Sequence, residues 1–285
     1  MTILHPHGSL RSGARRLASM PLTAKIGITI ITLYLLTALL APHLTPYGEA
    51  EIVAAPFEPW SDQFWLGTDS LGRDTFTRLV FGARNTIGIA LVTTLLAFSI
   101  GTTAGLAAAT FGGWTDQIFS RFVDVLMSIP QLIFALLLLS IFGTSIPTLI
   151  MVIAVLDSTR VFRLTRAVAI NVAVLDYVEA ARLRGEGAIW IMAREILPNV
   201  APTLIAEFGL RFCFVFLLIS GLSFLGLGIQ PPTADWGSMV RDSATLITYG
   251  DITPLLPAGA IALLSVAINL VVDWFLHWAS GLKED

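Results

Sequence analysis

Charge is scarce in this sequence, and cysteine nearly absent. Only 13% of its 285 residues are Asp, Glu, Lys or Arg, about half the share typical of a soluble domain. A net charge of -3 is too small to imply a nucleic-acid partner. The one cysteine, Cys213, lies in an apolar run, so no internal disulfide forms and cysteine usage says nothing of an oxidising compartment. The four histidines are scattered, and no Cys/His cluster has metal-ligand spacing. No G-x-x-x-x-G-K-[ST] sequence occurs, so the chain lacks that loop for cradling nucleotide phosphates. Low-complexity segments and internal repeats are missing too.

What fills the space is hydrocarbon. The chain is 55% hydrophobic with a mean hydropathy of +0.79. Water is a poor solvent for such a surface, and a bilayer a good one. A membrane helix needs roughly 17–25 predominantly apolar residues. Six stretches are candidates: Lys25 to Ala41, stopped by Pro42; Thr86 to Phe111, stopped by Gly112 and Gly113; Phe122 to Phe142; a fourth from Pro147, the weakest, that turns polar after Leu156; Val200 to Ile229; and Leu255 to about Ser280. The fold class expected is therefore an all-α membrane protein with six transmembrane helices. With the N-terminus inside, one side receives Arg11, Arg15, Arg16, Lys25, Arg121, Arg160, Arg163, Arg166, Arg182, Arg184, Arg194 and Lys283; the other receives Arg73, Arg78, Arg84 and Arg241. This asymmetry predicts cytoplasmic N- and C-termini in a multi-pass membrane protein. The basic N-terminal region lacks a convincing cleavage site, so the first apolar run reads as a helix rather than a leader. The expected organisation is a cytoplasmic arm (1–24) and one transmembrane domain (25–282), with outer loops at 42–85 and 230–254 and a cytoplasmic segment at 171–199.

The cytoplasmic segment holds "DYVEAARLRGEGAIWIMAREILPN", Asp176 to Asn199, where seven charges gather. Asp176 with Glu179 has capping-box spacing. Gly185 suits a left-handed helix stop. A second short helix follows from about Ala188, with Ile189, Met192, Ala193 and Ile196 on one face; Pro198 is expected to end it by disfavouring helix at Leu197. Acidic residues slightly outnumber basic ones, which argues against a lipid-surface helix. Packing on the bundle and docking into a partner remain equal readings.

"EAARLRG", Glu179 to Gly185, and "ILPN", Ile196 to Asn199, resemble the EAA motif of ABC importer permeases in both halves and in spacing. "LGTDSLGRDTFTRLVFGAR", "FGGWTDQIFSRFVDVLMSIP" and "LSFLGLGIQPPTADWGSMV" extend the resemblance to the C-type permeases of the peptide/nickel import family. Two positions depart from the pattern: Glu195 stands where His is frequent, and Asp157 where Trp is frequent. The resemblance implies a type I ABC importer permease whose coupling helices seat in an ATP-binding subunit, with Glu179, Ala180, Ala181, Gly185, Glu195, Leu197 and Pro198 as coupling residues. It implies a heterodimer with a second permease, two ATP-binding subunits holding ATP and Mg, and an extracytoplasmic substrate-binding protein. This chain would be non-catalytic and bind no cofactor itself. The expected cargo is a peptide.

Ionisable residues within spans are costly. Asp157/Arg160, Glu207/Arg211 and Asp273/His277 are spaced as helical neighbours; they are expected to form a polar belt at an inner gate, or else static interhelical contacts. The Gly-rich runs "GTTAG" and "FLGLG" read as helix-packing glycines. "GTDSLGRD" reads as a turn closed by an Asp–Arg pair, and Trp236 as an interfacial anchor. Two rival functions differ in kind. An ion-coupled secondary transporter would use Glu207, Asp273 and His277 as a proton relay. An intramembrane Ser/His hydrolase is the weaker rival, because no G-x-S-x-G sequence surrounds a serine.

Overall fold

The computed structural model describes residues 20–280; Arg11, Arg15, Arg16 and Lys283 lie outside it. Among the described residues all regular structure is helical apart from two isolated bridges. In chain order the helices are α1 (Leu22–Leu44), α2 (Thr75–Phe111), α3 (Gly113–Met127), α4 (Gln131–Phe142), α5 (Ile146–Ala173), α6 (Asp176–Leu183), α7 (Ala188–Ile191), α8 (Leu197–Phe224), α9 (Trp236–Ser243) and α10 (Leu255–Ser280). A π turn, Met192–Ile196, joins α7 to α8, and a 3₁₀ turn, Ala244–Tyr249, follows α9.

Four helical stretches are long and apolar enough to cross a membrane: α1, α2, Ala188–Phe224 and α10. The pair α3–α4 makes a fifth only if taken together, and it is bent by 87°. The expected continuous span from Phe122 to Phe142 is thus broken. Pro130 contributes no N–H and disfavours helix at Ile129 before it. Helix α5 has 28 residues and a length of about 42 Å, but Asp157, Arg160, Arg163 and Arg166 interrupt its apolar run.

Other boundaries also move. Helix α1 continues through Pro42 to Leu44. Helix α2 starts eleven residues before Thr86, because Asp74 caps it: its carboxylate accepts from the Thr77 N–H at 2.8 Å. The first loop is accordingly 45–74. Residues with Arg78 and Arg84 looked like loop by polarity, yet they form the first turns of a 37-residue helix.

Small residues let the helices meet. The most extensive contact is α2 against α5. A Cβ on Gly101 would sit 2.6 Å from the Ser158 carbonyl oxygen, and one on Gly105 2.7 Å from Thr165 Cβ. The "GTTAG" glycines do pack helices, as membrane interfaces favour. Two large apolar cores result, with a smaller one at Ala108, Val123 and Phe162. One gathers Ile87, Leu139, Ile153, Phe216 and Trp236. The other, around Leu106, Ala173, Val200 and Leu204, takes in the connection between α5 and α8.

The loop-rich end is braced by polar contacts. Asp69 closes its turn on Arg73 at 2.7 Å and also meets Arg78 at 3.3 Å. Glu49 binds the Asn85 amide and the Ala234 N–H, each at 2.8 Å. Asp235 caps α9 through the Ser238 N–H and accepts from the Thr86 hydroxyl. Burial pushes the Asp235 carboxyl above the usual carboxylate range, while these hydrogen bonds pull it down. Trp236 is not an interfacial anchor. It is 2% exposed, lies edge-on to Tyr34 and Phe216, and donates its indole N–H to the Leu79 carbonyl at 2.9 Å. Gly82 makes the room, since a Cβ there would lie 2.6 Å from the indole.

Candidate coupling surface and buried ion cluster

The charged segment folds as a rigid corner. Asp176 is not a cap: Leu175 occupies the N-cap without a side-chain bond, and Asp176 is the first residue of α6. Asp176 and Glu179 still lie in the first turn, where the helix dipole favours carboxylates. Gly185 has φ +82°. The Gly185 N–H donates to the Arg182 carbonyl and the Glu186 N–H to the Ala181 carbonyl. These two bonds are the pairing of a Schellman stop.

Pro198 does not end the second helix. The Leu197 N–H reaches the Met192 carbonyl, five residues back. This π turn accommodates the proline ring and its missing N–H without breaking the helix. Ala188–Phe224 therefore runs on as one 37-residue element. What looked like a separate second coupling helix is the N-terminal extension of α8. The wider turn also rotates the expected apolar face. Ile196 is buried and Met192 half-buried, but Ile189 and Ala193 are exposed, and Ile191 takes the inward position.

One face of the segment packs on the bundle, and the other is left uncovered. Val178, Ala181, Ile191 and Ile196 are fully or almost fully buried against α2, α5 and α8. Ala181 thus permits close approach to the bundle; Ala180 points outward. On the outer face Leu183 is 81% exposed, Ile189 78% and Val174 76%, with Leu175, Tyr177 and Trp190 also uncovered. Glu179 is exposed and pairs with Arg182 at 3.6 Å; Glu195 lies 3.9 Å from Arg184 across the Gly185 corner. Leu197 is half-buried and Pro198 exposed. Sequence periodicity missed Val174, Leu183 and Trp190; their signal was apolar side chains amid polar ones.

Three of the six expected belt residues meet. Arg211 Nε donates to Glu207 Oε1 at 2.6 Å, and Arg211 Nη1 lies 3.8 Å from Asp157 Oδ1. The partner of Asp157 is thus Arg211 on α8 rather than Arg160 on its own helix. Asp157 is 1% exposed, and its Oδ2 and Arg211 Nη1 lack a hydrogen-bond partner. The guanidinium also sits 4.8 Å over the Phe214 ring, a cation–π contact. Arg160 is exposed and lines a cavity of about 130 Å³ at the α3–α4 break, with Pro130, Gln131, Leu156 and Thr159. Asp273 makes no ion pair with Arg211 among the described residues, and His277 Nδ1 lies 2.7 Å from the Asp273 backbone carbonyl. Near the α6 end, α3 is tied to α5. Arg163 binds Asp124 at 2.7 Å and Arg166 holds Asp116 through both guanidinium nitrogens. Neither pair was foreseen.

The described residues form a helical membrane bundle with an apolar-faced corner at the start of its penultimate membrane-length helical stretch. Residues 101–280 match the family described as binding-protein-dependent transport system inner membrane component. The chain is 34% identical to a dipeptide transport system permease protein of Alkalihalophilus pseudofirmus, over 88% of this chain and 83% of that one. It is 34% identical to a glutathione transport system permease protein of Pectobacterium atrosepticum, over 75% and 71%. It is 31% identical to a dipeptide permease protein of Haemophilus influenzae, over 88% and 87%. The chain belongs to this family: it is a multi-pass inner-membrane permease subunit of an ABC importer.

Proposed function

We propose that the chain forms half of a peptide translocation pathway and is driven by ATPase subunits through the 174–190 corner. The carrying observation is three exposed apolar side chains, Val174 before α6, Leu183 at its end and Ile189 in α7, around a Schellman stop. Exposed apolar side chains rimmed by polar ones mark protein or membrane contact sites, and the acidic residues beside these disfavour the lipid surface. A rigid helix whose other face is built into the bundle passes a partner's displacement to α5 and α8 rather than absorbing it. Glu179, Ala180, Gly185, Glu195, Leu197 and Pro198 take part as the contact, the corner and the exit into α8; Ala181 anchors the helix from beneath.

The peptide cargo rests on the relatives' names, dipeptide and glutathione transport permease proteins. The assembly proposed is a heterodimer with a second permease, two ATP-binding subunits that bind ATP and Mg, and an extracytoplasmic binding protein meeting the loop-rich end. Both termini are cytoplasmic and α5 and the α3–α4 pair complete six crossings, a reading supported by the basic residues near the corner. The Asp157–Arg211–Glu207 cluster joins α5 to α8, the two helices flanking the corner, and serves as an inner gate. Glu207→Gln and Arg211→Met are expected to alter the ratio of uptake to ATP hydrolysis; wild-type uptake and hydrolysis in both would remove the gate. Gly185→Pro tests the coupling. Proline needs φ near −65° and has no N–H, so both the left-handed turn and the bond to Arg182 are lost. The expected result is ATP hydrolysis without uptake in a normally inserted protein, and normal uptake would refute the assignment.

A further inference from the structure

At the loop-rich end a cavity of about 550 Å³ opens between the end of α1 and the start of α2. Its walls are aromatic and acidic: Tyr47, Trp65 and Phe76, with Asp62, Asp74 and His43. The Trp65 and Phe76 rings stand 5.2 Å apart, inclined at 57°. Asp74 is buried and anchored by the Thr77 N–H. Among the described residues no lysine or arginine lines the cavity. Leu44, the last residue of α1, also lines it, which brings the partial negative charge of a helix C-terminus to the site. Ring faces attract cations, and so do the carboxylates and the helix end. Asp74 is shared with the N-terminus of α2, so Asp62, the rings and the end of α1 are what remain to draw a cation.

The surface leading from the cavity is equally specific. Leu33, Leu36, Leu40 and Leu44 are exposed and spaced i, i+3, i+7, i+11, which puts them on one face of α1. This apolar track starts at the cavity mouth and runs down a membrane-length helix. A ligand matching both parts carries an ammonium on one end and hydrocarbon on the other.

We propose that this cavity binds the ammonium headgroup of a zwitterionic phospholipid, with an acyl chain laid along Leu33, Leu36, Leu40 and Leu44. Gln63 and His43 line the same cavity and supply N–H donors for the lipid phosphate. A bound lipid fastens the 45–74 loop to α1. The free amino terminus of a soluble peptide shares the ammonium but leaves the leucine track unused.

The test is native mass spectrometry of the full chain purified in detergent and supplied with phosphatidylethanolamine, phosphatidylcholine or phosphatidylglycerol. The expected result is retention of a zwitterionic lipid over phosphatidylglycerol by about tenfold. Asp62→Asn with Trp65→Ala abolishes the preference. Leu36→Ala with Leu40→Ala, which leaves the headgroup cavity intact, lowers retention of every lipid. Glu51→Gln, a charge removed outside the cavity, retains the preference. Circular dichroism of each variant separates loss of the site from loss of the fold. Equal retention of phosphatidylglycerol, an unchanged preference in folded Asp62→Asn/Trp65→Ala, or displacement of the lipid by a soluble dipeptide would each overturn the proposal.

Discussion

Arg211→Met strips the positive charge from a site where one carboxylate can escape and the other cannot. Glu207 retains 23% side-chain exposure, against 1% for Asp157. Freed of Arg211, Glu207 reorients toward water. Asp157 stays enclosed by α5 and α8, with an oxygen that already lacks a hydrogen bond. Breaking a buried pair by removing one partner costs about 3–5 kcal/mol, mostly as the penalty of the charge left behind. Insertion scales put a lone carboxylate at mid-membrane at about 2.5–3.5 kcal/mol. The lower figure fits better, since the 3.8 Å contact is not a hydrogen bond. Arg211→Met is therefore expected to lose about 3 kcal/mol, somewhat over a hundredfold in the folded-to-unfolded ratio. Asp157→Asn removes the stranded charge, so the Asp157→Asn/Arg211→Met double variant recovers most of that loss, about 2 kcal/mol. Glu207→Gln costs about 1 kcal/mol. The assay is a double-mutant cycle on reversible denaturation in mixed micelles. An Arg211→Met protein as stable as wild type, or a double variant no better than the single one, would refute the account of the cluster.

Three further outcomes follow from packing, burial and the helix stop. Gly101→Leu forces α2 and α5 apart, because the first added carbon already lies 2.6 Å from the Ser158 carbonyl; the expected loss is about 3 kcal/mol. Gly88→Ala, where a Cβ meets nothing within 4 Å, is neutral or stabilising, and thermal melts of the two distinguish packing from helix propensity. Asp235 has a folded pKa raised by burial, so the folded chain holds this proton at a pH where the unfolded chain has released it. Its contribution to stability is then highest below the unfolded value of about 3.9 and declines as pH rises toward the folded one. Asp235→Asn should flatten the fall in thermal midpoint over that window, and an unchanged pH profile counts against the buried-carboxyl reading. Gly185→Ala, with open space around its Cβ but φ +82°, should cost about 1–2 kcal/mol through backbone conformation alone, and a melt at the wild-type midpoint would contradict the left-handed stop.

Much of this was legible in local chemistry. The apolar length of α1 and α10, the left-handed glycine at Gly185, the packing role of Gly101 and Gly105, and the Asp69–Arg73 turn all follow from residues within a few positions of one another. The features that escaped depend on tertiary context. Arg78 and Arg84 looked too polar for a membrane helix, but Arg78 is neutralised by Asp69 and donates to the Glu49 carbonyl at 2.9 Å. Asp157 looked paired with Arg160 one turn away, yet its partner arrives from α8. Trp236 looked interfacial because neighbouring prolines and polar residues suggested a loop, whereas Gly82 on a distant helix opens its pocket. Pro198 has the usual signature of a helix end; a π turn resolves it, and no propensity rule signals one. The meeting of Asp157 with Arg211 and Glu207 likewise depends on how α5 packs against α8.

The exposed apolar corner is the proposed seat of an ATPase subunit. The most direct test of this is co-purification of the ATP-binding subunits with the full permease carrying Leu183→Asp and Ile189→Asp. Both side chains are about four-fifths exposed and lie outside the bundle, so the membrane fold and the amount inserted should not change. The account predicts loss of the ATPase subunits from the purified complex together with loss of uptake. Undiminished co-purification and wild-type uptake would contradict it.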